Sequence, residues 1–181
     1  MFILASSSPR RKQLLKEITP QFTVISPNID ESLLKLEPSK LSYEEAKTKA
    51  YAIASKYPND EVLSCDTIVI LDGKALGKPK NKDDAFNMLK NQSGKKQVVI
   101  SSYTYIGQGK EISRSVKTYV YFNKLSDQQI KEYIEKFNPL DKAGAYGIQD
   151  DYPLINRIEG SFKNVMGLPV EDIKTHIPLS K

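Results

Sequence analysis

Ser6-Ser7-Ser8-Pro9-Arg10-Arg11 brings three hydroxyls and two guanidiniums into one short stretch. An apolar run, Phe2-Ile3-Leu4-Ala5, precedes it, and Leu14, Leu15 and Ile18 follow at helical spacing. The stretch therefore joins a short buried strand to a helix. Ser8 falls at the N-cap and Pro9 at the first helical position, where a missing N–H is no loss. Cations are disfavoured there, because that end of a helix carries partial positive charge and free N–H donors. Two arginines placed there anyway concentrate positive potential. With the hydroxyls and backbone N–H groups they suit an anion such as phosphate. The alternative is an ordinary strand–turn–helix with solvated arginines.

Four further places carry chemistry. Asp66 interrupts the β-rich run Val62 to Leu71. A carboxylate in such a run either caps a turn at a strand end through Thr67 or lines a cleft, since burying it without a cation or donors is costly. Lys78, in Gly77-Lys78-Pro79-Lys80, is held extended by the following proline. A point charge on a stiff support suits a phosphate, and the alternative is a surface lysine beside a turn. The glycine spacing and Lys-Ser/Thr pair of a P-loop are absent. Asp30-Glu31 could hold Mg²⁺ or Mn²⁺, or cap a helix starting at Ser32. Gln149 closes the glycine-punctuated stretch Asp141 to Gln149, where its amide could read a base edge or simply sit in a loop entering a strand.

These residues must be positioned by alternating strands and helices. Strands are predicted at 22–26, 62–71, 98–106 and 112–122. Asp72-Gly73 turns the second of these into a hairpin through Ala75-Leu76-Gly77, and Gly107-Gln108-Gly109 joins the last two. Ser42-Tyr43-Glu44-Glu45 has the pattern of a capping box opening a helix to about Tyr57, with Lys49 at the edge of its apolar stripe. Asn81 caps a helix to about Asn91, Ser126-Asp127-Gln128-Gln129 opens one to about Phe137, and a short helix covers 170–175. Gly160 to Pro169 has the small and turn-forming residues of a close backbone approach. Two long adjacent strands predict an α/β fold with a mixed sheet rather than a doubly wound parallel one.

With 181 residues, 39% apolar and 27% charged, the chain has the make-up of one globular domain over 1–181. No apolar run is long enough to span a membrane, and no secretory signal is expected, so the location expected is cytoplasmic. One cysteine, Cys65, excludes an internal disulfide and a cysteine zinc site, and one histidine, His176, excludes a histidine-rich metal site. Cys65 is expected to be buried and His176 at the surface. A net charge of +5 permits an anionic partner without choosing among nucleotide, nucleic acid and membrane surface.

Taken in order, the segments resemble the Maf family of nucleoside triphosphate pyrophosphatases. The resemblance rests on Leu4 to Arg11, Asp30-Glu31, Ala46 to Ala50 with Lys49, Asp66-Thr67-Ile68-Val69, Gly77-Lys78-Pro79, Ser93-Gly94, Asp141 to Gln149, and Asn164 to Pro169. It implies a fold like the inosine triphosphate pyrophosphatases: an elongated mixed sheet flanked by helices, with a cleft between two lobes. It implies hydrolysis of a nucleoside triphosphate to monophosphate and pyrophosphate with a divalent cation, Mg²⁺ or Mn²⁺, removing surplus or non-standard nucleotides. Arg10, Arg11, Lys49 and Lys78 would then supply charge, and Ser6 and Ser8 neutral donors, to the phosphates. Glu31 and Asp66 would hold the cation, with Asp66 also the first choice of general base. Asp66-Thr67 and Tyr146-Gly147-Ile148-Gln149 resemble the branch acting on dTTP and UTP, with Gln149 against the pyrimidine. The alternative branch acts on 7-methyl-GTP. A homodimer is implied as well.

Three positions depart from the family pattern. Gln97 stands where histidine is common, Ser101 where threonine is expected, and Asp150 where glycine is common. Asp150 is expected to add negative charge beside the base pocket. A rival reading from another class is a nucleic-acid-binding module, with Tyr103, Tyr105, Tyr119 and Tyr121 alternating on adjacent strands to form one aromatic face. Cross-strand packing is the competing explanation of those tyrosines, and no specific nucleic-acid partner is expected. A third reading is an inactive homologue serving as a partner protein, against which the intact set Arg10, Arg11, Lys49, Asp66 and Lys78 argues.

Overall fold

A computed structural model describes residues 1–29 and 36–179. Asp30 and Glu31 lie outside the described residues. The chain runs β1 (Phe2–Ala5), α1 (Pro9–Leu15), β2 (Thr23–Val24), α2 (Pro38–Ala54), β3 (Glu61–Leu71), β4 (Lys74–Leu76), α3 (Lys82–Gln92), β5 (Lys96–Gly107), β6 (Lys110–Phe122), α4 (Asp127–Phe137), two 3-10 turns at Pro139–Asp141 and Ala143–Ala145, β7 (Ile155–Glu159), α5 (Phe162–Met166) and α6 (Val170–His176). One seven-stranded sheet has the order β2-β1-β3-β5-β6-β7, with β4 also on β3. β1 is parallel to β2 and β3, and the remaining pairs are antiparallel. The expected mixed sheet flanked by helices is thus present. Among the described residues no helix is long and apolar enough to cross a membrane.

Alternation along the central strands distributes two cores over one face of the sheet. Leu63 and Cys65 of β3 and Tyr103 and Tyr105 of β5 pack with Leu14 and Leu15 of α1 and Val170 and Ile173 of α6. Farther along the same face, Val69, Val99 and Val120 pack with Leu89 of α3 and Ile130 and Tyr133 of α4. Between the two cores the pattern turns polar. Thr67 stands opposite Ser101 in the register, and their hydroxyls lie 2.7 Å apart. Over this seam sits α5, whose Asn164 donates to Thr118 Oγ1 and accepts from Ser101 Oγ through its carbonyl. The other face is covered by α2, where Ile53 packs on Ile3, Ala5 and Val62.

Several sequence expectations need correction. Helix α2 begins at Pro38, which fixes φ at the first helical position, so Ser42 lies inside the helix and is no cap. Its buried hydroxyl instead meets Ser102 Oγ at 2.8 Å. The strand expected over 22–26 shrinks to Thr23–Val24, paired only to β1. β7 and α5 were not anticipated as elements. The four tyrosines do not share a face. Tyr103 and Tyr105 are fully buried, whereas Tyr119 is 37% exposed and lies under the Lys96 ammonium. Arg157 likewise covers the Tyr121 ring, so these aromatic surfaces are already occupied by cations.

The C-terminal helix is latched to the sheet through Asp172, which accepts two bonds from Arg114, at 2.8 and 3.1 Å, and one from the Tyr103 hydroxyl at 2.7 Å. Burial pushes the Asp172 carboxyl up, but Arg114 and Tyr103 outweigh it and hold the group below the usual carboxylate range. A depressed carboxylate stabilises the fold above its unfolded pKa, about 3.9, and loses that contribution as pH falls through the folded value. Asp172→Asn should therefore be about 1 kcal/mol less stable than wild type at pH 7, with the gap closing towards pH 3. Thermal unfolding from pH 7 to pH 3 checks this, and a gap that persists at pH 3 would count against the latch.

Candidate active site

The cleft arises where the sheet is incomplete along one edge of β3. β1 pairs with β3 through Ser64, and β4 takes up the same strand at Val69. Among the described residues neither of these strands pairs Cys65 to Ile68 on that side. The polypeptide leaving β1 becomes the Ser6–Ser8 loop and α1, which wall the gap. A cavity of about 670 Å³ opens there, within the range of small-molecule sites. It is lined from the β1–α1 junction, α2, β3, the β4 arm and the segment after the first 3-10 turn.

Asp66 and Lys49 form the floor. Lys49 projects from α2 and donates to Asp66 Oδ1 at 2.6 Å, with side-chain exposures of 9% and 12%. Lys49 is thus more deeply buried than a position at the edge of an apolar stripe suggests. The pair answers the question the sequence left open: Asp66 sits within β3, lines the cleft and is matched by a cation. Cys65, one residue earlier, points the opposite way and donates to the Gly167 carbonyl at 3.2 Å. Burial pushes its thiol up to about 11, as suits a small core residue.

The two arginines differ. Arg11 donates from Nε to Gly167 O at 2.8 Å, from Nη1 to Ser6 Oγ at 3.3 Å and from Nη2 to Thr67 Oγ1 at 3.1 Å. Three of its five N–H groups are thereby fixed. Gly167 suits this turn through its φ of +117°, which L side chains rarely adopt, whereas a Cβ there would make only ordinary contact with Arg11 Nε and Thr67 Oγ1, 3.6 Å away. Among the described residues Arg10 makes one long contact, 3.5 Å to Asp141. Ser8 caps α1 as expected, accepting from the Arg11 N–H. Lys78 is exposed at the rim. Its arm is tied across the cleft by the Gly144 N–H donating to Gly77 O at 3.1 Å.

The profile of the family described as Maf-like protein matches residues 1–178. The chain belongs to the Maf-like protein family. A dTTP/UTP pyrophosphatase of Thermosipho melanesiensis is 46% identical over 94% of this chain and 93% of its own length. One from Pyrococcus furiosus is 43% identical over 93% and 89%, respectively. Among solved structures, a nucleoside-triphosphatase, dITP/XTP pyrophosphatase, of Mycobacterium abscessus has a TM-score of 0.46 and 13% identity over 68% of this chain and 75% of that one.

In this Maf-like chain, Ser6, Ser8, Arg10, Arg11, Lys49, Asp66, Lys78 and Gln149 all line the one cleft. Glu31 lies outside the described residues. Three lining groups were not among the expected site residues. Lys142 is largely buried and sits 3.0 Å from Asp141 Oδ1. Burial raises the Asp141 carboxyl, but Lys142 and Arg10 outweigh it and hold it below the usual range. Glu45 lies one helical turn before Lys49, a spacing that puts both on one face and could have revealed it. Thr67 carries the seam into the cleft.

Among the described residues no cluster of three or more His, Cys, Asp or Glu could hold a metal by itself. Among the described residues, the carboxylates on the cleft are Glu45, Asp66 and Asp141. Such a donor set fits a Mg²⁺-like ion that takes one or two carboxylates and completes its shell with substrate phosphates and water.

Proposed function

We propose that the cleft hydrolyses dTTP and UTP to the nucleoside monophosphate and pyrophosphate, in a cytoplasmic enzyme that removes surplus or non-standard nucleotides. One observation carries the reading: cations from α1, α2 and the β4 arm converge with a buried carboxylate on a single cleft of nucleotide size. The names of the close relatives support the choice of pyrimidine substrate.

Arg10 and Lys78 at the rim and the two remaining N–H groups of Arg11 bind the triphosphate, with Ser6, Ser8 and the N–H groups of the turn as neutral donors. Lys49 holds Asp66 by Oδ1. Asp66 Oδ2 accepts a hydrogen bond from the attacking water, orients it towards the α-phosphorus and takes its proton. The bond from the α-phosphorus to its bridging oxygen breaks, and the arginines neutralise the charge gathered on pyrophosphate. A divalent ion bound with the triphosphate would be held by Asp66, with Glu31 as a second ligand, and would polarise the phosphoryl oxygens. Gln149, exposed on the cleft, contacts the pyrimidine edge.

The test is pyrophosphate release from dNTPs, NTPs and 7-methyl-GTP with Mg²⁺, Mn²⁺ or EDTA. Metal-dependent release favouring dTTP and UTP is expected. Release from 7-methyl-GTP alone would overturn the substrate assignment, and no release from any nucleotide would overturn the enzyme.

A further inference from the structure

Gln149 belongs to a turn that is anchored from behind the cleft. Tyr133, fully buried on α4, places its hydroxyl 2.9 Å from the Gly147 N–H, which donates to it, and 2.6 Å from Asp150 Oδ2, to which it donates. The turn closes on itself through Asp150 N–H to Gly147 O at 3.1 Å. Asp150 is therefore turned inward, not towards the base pocket. Its carboxylate occupies the space that glycine leaves at position 147: a Cβ there would meet Oδ2 at 2.8 Å. The phenol cannot drift, because its ring packs against Phe137 and Tyr152 at 5.1 and 5.6 Å between centroids. Helix α4 is itself fixed by a full capping box at Ser126 and Gln129. Burial and the Asp150 bond both raise the Tyr133 pKa, so its hydroxyl remains a proton donor.

We propose that Tyr133 and Asp150 are positioning residues for base selection, one hydroxyl pinning both ends of the turn from which Gln149 reaches the pyrimidine. The inference rests on the pyrimidine nucleotide reading above. Neither residue lines the cleft, and both act through the turn. A base-reading amide loses discrimination when its support shifts by a fraction of an ångström, so the effect falls on substrate binding more than on the chemical step.

Tyr133→Phe should raise KM for dTTP about tenfold and lower its preference over purine nucleotides, with kcat within about twofold. Asp150→Ala should follow it. Asp150→Asn, whose amide oxygen still accepts from Tyr133, should keep wild-type KM and base preference. An unchanged KM in Tyr133→Phe would overturn the proposal. So would an Asp150→Asn variant as impaired as Asp150→Ala, because charge rather than the clamp would then be at work. Amide hydrogen exchange at Gly147 and Gln149 reads the clamp without turnover. Faster exchange confined to this turn in Tyr133→Phe is expected even if no nucleotide were hydrolysed, and unchanged protection would overturn the clamp independently of the enzyme reading.

Discussion

Asp66→Asn should lower kcat by about 10²–10⁴-fold, the range for loss of a general base. The variant should still fold. Asparagine has the shape of aspartate, and its oxygen can still accept from Lys49. What it cannot do is balance the Lys49 charge, which is 9% exposed. Breaking a buried pair by removing one charge destabilises by about 3 kcal/mol or more, less whatever the retained hydrogen bond returns. That is within the margin of a domain stable by about 5–15 kcal/mol. Lys49→Met should be worse for stability, since it removes both the charge and the donor that Asp66 Oδ1 meets. In the double variant Lys49→Met/Asp66→Asn the losses should be less than additive. Denaturant midpoints and pyrophosphate release on the same preparations separate the two effects. Wild-type turnover in Asp66→Asn would remove this residue from the mechanism.

Arg11→Lys should be the second large loss, about 10²–10³-fold in kcat/KM, with a stability loss of about 1–2 kcal/mol. The guanidinium meets Gly167 O, Ser6 Oγ and Thr67 Oγ1 at once. An ammonium on a flexible stem cannot reproduce that fork. Arg10→Lys is the control. Among the described residues Arg10 has one 3.5 Å contact near the surface, so its replacement should leave stability within about 0.5 kcal/mol while weakening substrate binding. Equal thermal stability in the two variants would show that Arg11 does not tie the turn at Gly167 to β3.

The strands that build the site were readable because their faces alternate over many residues. β3, β5 and β6 were placed to within a few residues, as was the hairpin at Asp72-Gly73. Thr67 and Ser101 break the apolar alternation of their strands, but no seam was expected there, and that they stand opposite each other is a matter of register, set by partners distant in sequence. The reading at Ser42 failed for a related reason. Ser-x-x-Glu is a start signal only where the chain is extended before it, and Pro38 had already begun the helix. The partner of Ser42 is a serine sixty residues away. β7 and α5 are short, and elements of that length are held by packing rather than by their own propensity. For Asp150 the residue type announced a negative charge, while its direction depended on a tyrosine of α4. Lys142 was visible as part of a motif, yet nothing local says that its ammonium turns to the cleft.

The bond from Arg11 to the Gly167 carbonyl joins residues 156 apart in sequence. During synthesis the basic motif emerges on the order of ten seconds before its partner does. A contact of such sequence separation forms late, because the chain between must first be gathered in. A nascent or truncated polypeptide thus displays cationic residues able to attract nucleotides but lacks the arrangement that could cleave them. Under the proposed activity, hydrolysis is thereby confined to chains that have been read through to the turn at Gly167.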